Sequence, residues 1–414
     1  MANSLIPRQE YLDSLIGFKD KRLIKIVTGI RRCGKSTLFE LYQDWLLKQG
    51  VAPAELISIN FEDPDYADLQ DWKKLFNHVK RRLIPGRMNY VFLDEVQNVP
   101  EYQKAADGLY IKKNVDLYLT GSNAYMLSGE IATLLSGRYI EIQMLPLSFK
   151  EYVSAVGEAR DDATGVGQSL PRLYTRYLTE SSFPYALELA GNHKQINEYL
   201  EGIYNTILNK DVISRKKITD PLMLESVLRF MFFNIGNLTS TTNIANTMKS
   251  RGRSISVHTV ENYLALLRDS YILYRAGRYD IKGKQYLQTG DKYYAADMGL
   301  RYFLLGTKNA NLGSMLENIV YLELQRRGKR VYVGKTGTME IDFIAETPGG
   351  GIEYYQVSLS VRSADTLARE LEPLNTVKDH NPKYLLTLDD DPEVSYNGIR
   401  QLYVLDWLLG GGAR

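Results

Sequence analysis

The sequence has little of the chemistry that builds disulfides or metal clusters. It contains one cysteine and four histidines among 414 residues. A single cysteine excludes an intrachain disulfide and a cysteine-based metal cluster, and so few histidines argue against a zinc site. No apolar run approaches the length of a membrane span, and Met1 to Pro7 lack the order of a secretory signal. We therefore expect a cytoplasmic protein with no membrane association.

The chain also lacks an overall excess of charge. Its 51 lysines and arginines against 49 aspartates and glutamates give a formal net charge of +2 at pH 7. This near balance identifies no partner, so only local clusters of charge bear on binding. A chain of this length can form two to four domains with cores of their own.

The stretch from Gly29 to Ser36 is the strongest motif. It fits the phosphate-loop pattern of glycine, four residues and then Gly-Lys-Ser. A strand pattern over residues 23–28 precedes it, and helical spacing begins after it. Successive N–H groups at a helix N-terminus cradle a polyphosphate, so we expect ATP here, with Lys35 on its β- and γ-phosphates and Ser36 on Mg²⁺. The expected binding residues are Gly29, Ile30, Arg31, Arg32, Cys33, Gly34, Lys35, Ser36 and Thr37.

A second motif, from Asn89 to Glu95, is an apolar strand that ends in two carboxylates. One strand-like segment, residues 56–61, separates it from the phosphate loop. This order predicts that Asp94 holds the Mg²⁺ shell and that Glu95 activates the attacking water as general base. The two motifs together indicate an ATPase that hydrolyses its nucleotide.

Polar residues follow the next two strand patterns. After residues 115–120, Ser122 or Asn123 is the candidate sensor of the γ-phosphate, and the alternative is a turn and helix cap. Arg138, before a short strand over residues 140–144, is a candidate arginine finger for a neighbouring subunit's nucleotide. The alternative for Arg138 is a surface ion pair. Lys35, Glu95, Asn123 and Arg138 are therefore the expected catalytic set.

Three tracts resemble the prokaryotic AAA+-type ATPases of the archaeal-ATPase group: residues 29–36, 92–97 and 119–124. Residues 145–152 resemble the segment that ends the ATPase domain in the same family. The resemblance covers nearly the whole chain. It implies an α/β ATPase core over residues 1–153, with a parallel sheet between helices. It also implies a homo-oligomer, with a hexameric ring as one form.

The middle of the chain predicts a lid and a winged helix-turn-helix module. Residues 154–215 are the expected linker and helical lid. Within residues 216–300, helical patterns over 240–249 and 256–268 each begin at serine, a favoured N-cap, and a short hairpin pattern follows. Helix, turn, helix and hairpin in this order are typical of a winged helix.

This module is locally basic. From Lys210 to Lys292 there are 14 lysines and arginines against 7 aspartates and glutamates. Basic side chains neutralise phosphates, which favours DNA as a partner, whereas winged helices also serve as protein-binding modules or lids. The candidate DNA contacts are Arg251, Arg253, His258, Asn262, Arg268, Arg278, Lys282 and Lys284.

Residues 301–414 follow the layout of a PD-(D/E)xK nuclease with an altered third strand. Glu317 lies in a helical pattern and Asp342 in a strand pattern, where metal-binding carboxylates are expected. Gln356 stands where the layout has an acid, and Ser358 stands where it has a lysine. Because neither residue supplies the missing charge, we expect an α/β nuclease-like domain that has lost cleavage. Strand patterns over residues 384–388 and 401–407 are expected to complete its sheet.

These elements together predict Mg²⁺-dependent ATP hydrolysis that drives a DNA-associated remodelling or translocation machine, acting on duplex or branched DNA. The alternative is a nucleotide-dependent signalling or defence switch that acts through protein partners. A third interpretation, an active nuclease with an ATPase motor, is disfavoured by Gln356 and Ser358.

Overall fold

A computed structural model describes residues 5–127, 135–157, 169–214, 218–283, 285–306 and 311–411. The chain divides into two compact units. One comprises Met1–Pro146 with Asp269–Tyr271, and the other comprises Leu147–Arg268 with Ile272–Arg414. None of the helices in the described ranges has the length and apolar character needed to cross a lipid bilayer.

A five-stranded parallel sheet forms the centre of the first unit, in the order β2-β3-β4-β1-β5. Parallel strands need crossover connections, and helices supply them here. This arrangement confirms the predicted α/β class with a parallel sheet among helices. The strands are β1 (Ile24–Thr28), β2 (Leu56–Asn60), β3 (Asn89–Asp94), β4 (Val115–Gly121) and β5 (Tyr139–Gln143). The helices are α1 (Gln9–Gly17), α2 (Lys35–Lys48), α3 (Trp72–Arg82) and α4 (Tyr102–Tyr110).

The inner strands β3, β4 and β1 are buried along nearly their whole length, as expected where helices cover a parallel sheet. One buried residue of β1 is charged. The ammonium of Lys25 pairs with the carboxylate of Asp116 on β4 and donates to the carbonyl oxygen of Lys21 at 2.8 Å. Burial raises the pKa of Asp116 and lowers that of Lys25. The pair satisfies two charges that would be costly if either were buried alone.

The carboxyl ends of three adjacent strands bring the ATPase motifs to one edge of this sheet. The phosphate loop follows β1, the acidic pair ends β3, and Ser122 follows β4. Thr28 is paired with Gly121, and Leu93 with Leu119, so the three strand ends are level. In a parallel sheet all these ends point the same way, and motifs far apart in sequence become neighbours.

The second unit contains a mixed sheet of eight strands, in the order β12-β13-β11-β10-β9-β8-β6-β7. Its strands are β6 (Leu273–Asp280), β7 (Gln285–Ala295), β8 (Arg330–Thr336), β9 (Met339–Glu346), β10 (Ile352–Ser358), β11 (Lys383–Thr387), β12 (Val394–Tyr396) and β13 (Ile399–Tyr403). Its helices are α5 (Phe149–Gly157), α6 (Leu170–Glu180), α7 (His193–Thr206), α8 (Pro221–Phe233), α9 (Thr241–Ser250), α10 (Val257–Asp269, whose last residue belongs to the first unit), α11 (Met298–Leu305), α12 (Leu312–Arg326), α13 (Ala364–Thr376) and α14 (Val404–Leu408).

The hairpin predicted as a wing is part of this larger sheet. β6 pairs with β7 in antiparallel fashion and with β8 in parallel fashion, so one hydrogen-bonded sheet crosses the predicted boundary at residue 300. The preceding helices begin where expected. Ser240 Oγ accepts from the backbone N of Asn243 at 3.2 Å, and Ser256 Oγ accepts from that of Thr259 at 3.0 Å. The winged helix and the domain boundaries stay predictions.

Two segments differ from the sequence-based expectation. The strand expected over residues 401–407 ends at Tyr403, and α14 follows, with Trp407 buried and its ring centroid 4.0 Å from the guanidinium of Arg327. A short apolar run fits a buried strand or a buried helical turn equally well, and tertiary packing decides between them. The predicted linker begins inside α5, because that helix continues to Gly157, and residues 158–168 lie outside the described part of the chain.

Candidate nucleotide site

The backbone of the phosphate loop requires its two glycines. Gly29 has φ of 147° and Gly34 has φ of 104°. A Cβ atom at Gly29 would collide with the carbonyl oxygen of Met144. Gly34 is in the left-handed region directly before Lys35, the first residue of α2, and only glycine adopts that region without strain. The glycine pattern therefore reflects both local conformation and a close approach from the end of β5.

The side chain of Lys35 folds back over the loop and meets Glu95. Its Nζ donates to the carbonyl oxygen of Gly29 at 3.2 Å and to that of Ile30 at 3.4 Å, and it lies 3.3 Å from Glu95 Oε1. Burial alone would lower the pKa of Lys35, but the Glu95 carboxylate opposes it and leaves that pKa raised. A charged ammonium therefore lies beside a helix N-terminus, which is a suitable place for a phosphate.

Asp94 ends β3 inside a set of hydroxyl contacts. The Thr120 hydroxyl donates to Asp94 Oδ1 and accepts from the backbone N of Glu95 at 2.8 Å. Burial raises the pKa of Asp94, and hydrogen bonds from Ser36 and Thr120 oppose that rise. Mg²⁺ prefers oxygen ligands and commonly takes one or two carboxylates together with phosphate oxygens. The contact between the Ser36 hydroxyl and the Asp94 carboxylate therefore fits a Mg²⁺ site.

Glu95 is buried and is held by donors on two sides. Its Oε1 faces Lys35, and its Oε2 accepts from Gln97 Nε2 at 2.5 Å and lies 4.0 Å from Arg31 Nη1. Burial would raise the pKa of Glu95, but Lys35 and Arg31 outweigh it, so the pKa is lowered and the group is ionised. Its φ of 53° is uncommon for a non-glycine residue, and such strain is concentrated at functional sites. An ionised carboxylate at this place can accept a proton.

The two sensor candidates, Ser122 and Asn123, are both buried and make different hydrogen bonds. Asn123 Oδ1 accepts from the backbone N of Tyr125 at 2.8 Å, which is the turn that the alternative interpretation expects. Ser122 Oγ accepts from Gln97 Nε2 at 3.2 Å, and the same amide reaches Glu95. The structure thus connects Ser122 with the carboxylate through one side chain. The sensor role stays a prediction for either residue.

Arg138 lies at the amino ends of the strands of the parallel sheet, opposite the ends that carry the phosphate loop and the acidic pair. Its backbone oxygen accepts from the N of Ile24, at the amino ends of β1 and β5, whereas the phosphate loop follows the carboxyl end of β1. Its guanidinium pairs with Asp107 and lies 5.6 Å from the ring centroid of Tyr110. This is the ion pair named as its alternative role, and action on a neighbouring subunit stays a prediction.

The sequence interpretation missed Arg8. Its guanidinium is buried and donates to the carbonyl oxygen of Cys33 at 2.7 Å and to that of Leu145 at 2.6 Å. It therefore joins the phosphate loop to the chain that leaves β5. Arg8 lies 25 residues before Cys33 and matches no motif, so the sequence offered no signal for it.

The candidate DNA contacts are not equivalent. Arg253 Nη1 donates to the carbonyl oxygen of Leu222 and to Ser226 Oγ, both at 2.8 Å, so this side chain is engaged by α8. His258 Nδ1 lies 3.9 Å from Glu261 Oε2, so an acidic side chain lies on the same surface of the helix. Arg278 is partly buried, and Lys284 lies outside the described residues. The exposed candidates are Arg251, His258, Asn262, Arg268 and Lys282.

A lysine that the sequence interpretation did not consider lies among the nuclease-like carboxylates. Lys292 on β7 is buried, and its Nζ is 2.9 Å from Glu317 Oε1, 2.7 Å from Glu340 Oε1 and 3.8 Å from Asp342 Oδ1. Burial and the neighbouring Glu317 raise the pKa of Asp342 to about 8. The carboxylates in turn outweigh burial and raise the pKa of Lys292. Lys292 precedes Glu317 by 25 residues and lies on β7, whereas Glu317 lies on α12, so the lysine falls outside the motif.

The altered positions of the third strand make hydrogen bonds of their own. Gln356 Nε2 donates to Glu370 Oε2 at 2.8 Å, and its Oε1 accepts from the backbone N of Asp342 at 3.4 Å. Ser358 Oγ donates to the carbonyl oxygen of Ser360 at 3.2 Å. Glu317 and Asp342 both face Lys292, so the two carboxylates take part in one buried cluster of charges. The loss of cleavage stays a prediction.

Replacing Gly29 by alanine tests the close approach at the phosphate loop. We expect Gly29→Ala to abolish nucleotide binding, because the added methyl group displaces the loop from the Met144 carbonyl oxygen. Titration with a fluorescent ATP analogue measures the affinity, and thermal unfolding measures stability. Gly50→Ala is the matched control, since Gly50 also has positive φ but open space around it. Equal nucleotide affinity in the two variants would contradict this assignment.

Removing the ammonium of Lys292 tests the buried charge cluster. We expect Lys292→Met to lower the free energy of unfolding by about 3–5 kcal/mol, since it leaves buried carboxylates without their counter-ion. Urea unfolding measures the change. Lys335→Met, which removes a half-buried lysine from the same sheet, should cost less than about 1 kcal/mol. A similar loss in both variants would show that the cluster does not depend on this charge.

Comparison with known proteins identifies relatives of this chain. Residues 21–153 match the model of an AAA domain, and residues 171–311 match that of a domain of unknown function. An uncharacterized protein of Haemophilus influenzae is 39% identical over 414 residues, which cover 99% of this chain and 100% of that one. An uncharacterized protein of Methanocaldococcus jannaschii is 30% identical over 332 residues, which cover 78% of this chain and 71% of that one.

The fold is also found in a solved structure. The Walker-type ATPase of Pyrococcus abyssi superposes with a TM-score of 0.52 at 15% identity, over 72% of this chain and 95% of that chain. At this identity the likeness shows a shared fold. The chain belongs to the family of the two uncharacterized proteins, and its first part is an AAA domain with the fold of the P-loop ATPases.

Proposed function

We propose that this protein hydrolyses ATP to ADP and phosphate in a Mg²⁺-dependent reaction. One observation carries the proposal: a phosphate-loop lysine, a hydroxyl–carboxylate pair for Mg²⁺ and an ionised glutamate meet at one edge of the sheet. Lys35 lies 3.3 Å from Glu95, and Ser36 is hydrogen-bonded to Asp94. These are the parts that phosphoryl transfer to water requires, because positioning and charge stabilisation supply most of its catalysis.

The Lys35–Glu95 contact suggests how binding prepares the site. Phosphate oxygens compete with Glu95 for the Lys35 ammonium, and their arrival frees Glu95 Oε1. The freed carboxylate then accepts a proton from water as the water oxygen attacks the γ-phosphorus and the bond to the ADP oxygen breaks. Mg²⁺, held by Ser36 and Asp94, would neutralise charge on the phosphates. Thr120 keeps Asp94 and the backbone of Glu95 in fixed relation during this exchange.

Glu95→Gln separates binding from hydrolysis. We expect this variant to bind ATP with nearly unchanged affinity and to lower kcat by at least about 100-fold, because an amide cannot accept the proton. Phosphate release measures turnover, and equilibrium titration measures affinity. Lys35→Ala is the contrasting variant and should lose binding itself. Undiminished turnover in Glu95→Gln would remove Glu95 from the base role.

We infer further that DNA is the partner to which hydrolysis is coupled. The support is the locally basic stretch from Lys210 to Lys292, in which Arg251, Arg268 and Lys282 are exposed. Exposed cations bind the phosphate backbone without regard to sequence, which suits remodelling of or translocation along duplex or branched DNA. A homo-oligomer, in which Arg138 reaches a neighbouring nucleotide, is part of this proposal.

The competing proposal is a nucleotide-dependent switch that acts through protein partners. Two apolar side chains of α8 favour it, since Leu222 is 62% exposed and Phe233 is 51% exposed. Glu261 beside His258 adds negative charge to the surface proposed for DNA. Exposed apolar side chains and mixed charge suit a protein surface better than a phosphate backbone.

DNA titration distinguishes the two proposals. We expect duplex DNA to bind at low salt and to accelerate ATP hydrolysis. The double variant Arg251→Ala/Arg268→Ala should weaken binding and reduce the salt slope by about one for each arginine that no longer neutralises a phosphate. Fluorescence anisotropy over a salt series measures both. Lys194→Ala is the control, because this lysine is 86% exposed and lies outside the basic stretch. No binding at low salt, with an unchanged hydrolysis rate, would reject DNA and favour a protein partner.

A further inference from the structure

One side chain joins the end of β4 to the carboxylate of Glu95. The Nε2 atom of Gln97 donates to Glu95 Oε2 at 2.5 Å and to Ser122 Oγ at 3.2 Å. Gln97 belongs to the short 3₁₀ turn Val96–Asn98 directly after Glu95, so its backbone moves with the acidic pair. Ser122 belongs to a different strand end. The amide is therefore a physical connection between two elements that border the nucleotide site.

The orientation of this amide follows from chemistry. An ionised carboxylate only accepts hydrogen bonds, so the NH₂ group of Gln97 must face Glu95. The other end, Oε1, is buried and has no hydrogen-bond partner in the described ranges. A buried acceptor without a partner costs stability, so a purely structural core would favour an apolar residue here. The polar side chain is thus retained at a cost to stability, and its bonds to Glu95 and Ser122 are what it provides.

The backbone of β4 leaves room for this side chain. A Cβ atom at Gly121 would lie 2.9 Å from Gln97 Oε1 and would also collide with Met126 Sδ. Because residue 121 is glycine, the side-chain amide of Gln97 can extend from the 3₁₀ turn and lie against the end of β4. The position of Gln97 is therefore defined by the end of β3, through Glu95, and by the end of β4, through Gly121 and Ser122.

We propose that Gln97 is a positioning residue which holds Glu95 in place for catalysis and transmits the position of Ser122 at the end of β4 to that carboxylate. The proposal rests on the proposed ATP hydrolysis and adds a specific route of control to it. When phosphate draws Lys35 away, Glu95 loses the donor on Oε1 and keeps the donor on Oε2. Gln97 then keeps the carboxylate directed at the attacking water, and a shift of Ser122 changes that aim.

The test compares kcat with nucleotide affinity in Gln97→Met, which keeps the volume of the side chain and removes its hydrogen bonds. We expect kcat to fall about 10-fold, a part of the 10²–10⁴-fold that a general base supplies, while the dissociation constant for ATP changes less than about twofold. Ser122→Ala should lower kcat by about threefold. The double variant should resemble Gln97→Met alone, because both changes interrupt one connection.

A second cycle shows whether Gln97 acts through Glu95. In the Glu95→Gln background, Gln97→Met should leave the residual rate unchanged, since no carboxylate remains to be positioned. Gln103→Met, a change at another buried glutamine of the first unit, is the control and should keep full activity. Thermal unfolding of every variant separates loss of fold from loss of rate.

The outcomes distinguish this inference from the function on which it rests. Hydrolysis by the wild type, with kcat within twofold in Gln97→Met, would overturn the role of Gln97 and leave the ATPase proposal intact. A full 10-fold loss that persists in the Glu95→Gln background would also overturn it, because the effect would then bypass Glu95. A wild type that binds ATP and hydrolyses none would refute the proposed function and this inference with it.

Discussion

The contact between Lys35 and Glu95 is the interaction on which the candidate site depends. It joins the phosphate loop after β1 to the acidic end of β3 across a distance of 3.3 Å. Each charge compensates the burial of the other, since an isolated buried ammonium or carboxylate would be neutralised by a shift of its pKa. The pair therefore keeps both groups ionised. In the proposed reaction ATP and the carboxylate compete for one ammonium, so occupation of the site would release the base.

The same rule of charge compensation recurs in the second unit with a different result. There Lys292 faces Glu317, Glu340 and Asp342 from a strand that the nuclease-like motif does not include. One ammonium against three carboxylates leaves negative charge in excess, and the raised pKa of Asp342 relieves part of it. In the first unit the paired charges lie beside a loop suited to phosphate, whereas in the second unit Lys292 lies among the carboxylates of the nuclease-like layout.

Much of the AAA domain could be predicted from the sequence because its signals are local. The phosphate loop is bounded by glycines whose positive φ angles are required by the backbone, and Asp94 and Glu95 end an unbroken apolar strand. The second unit was harder to predict. The strand expected through Trp407 ends at Tyr403, since a short apolar run carries no period that separates strand from helix.

The sequence by itself determined the strands of the first unit, the phosphate loop and the acidic pair, because backbone geometry and apolar spacing are properties of neighbouring residues. Only the tertiary structure decided which distant residues serve the same site. Arg8 binds the backbone of Cys33 from a segment with no motif. Gln97 lies between Glu95 and Ser122. Lys292 contacts Glu317 from strand β7, which the nuclease-like motif does not include. These contacts depend on strand order and on the need of each buried charge for a partner. Neither condition can be inferred from residues that are adjacent in the chain.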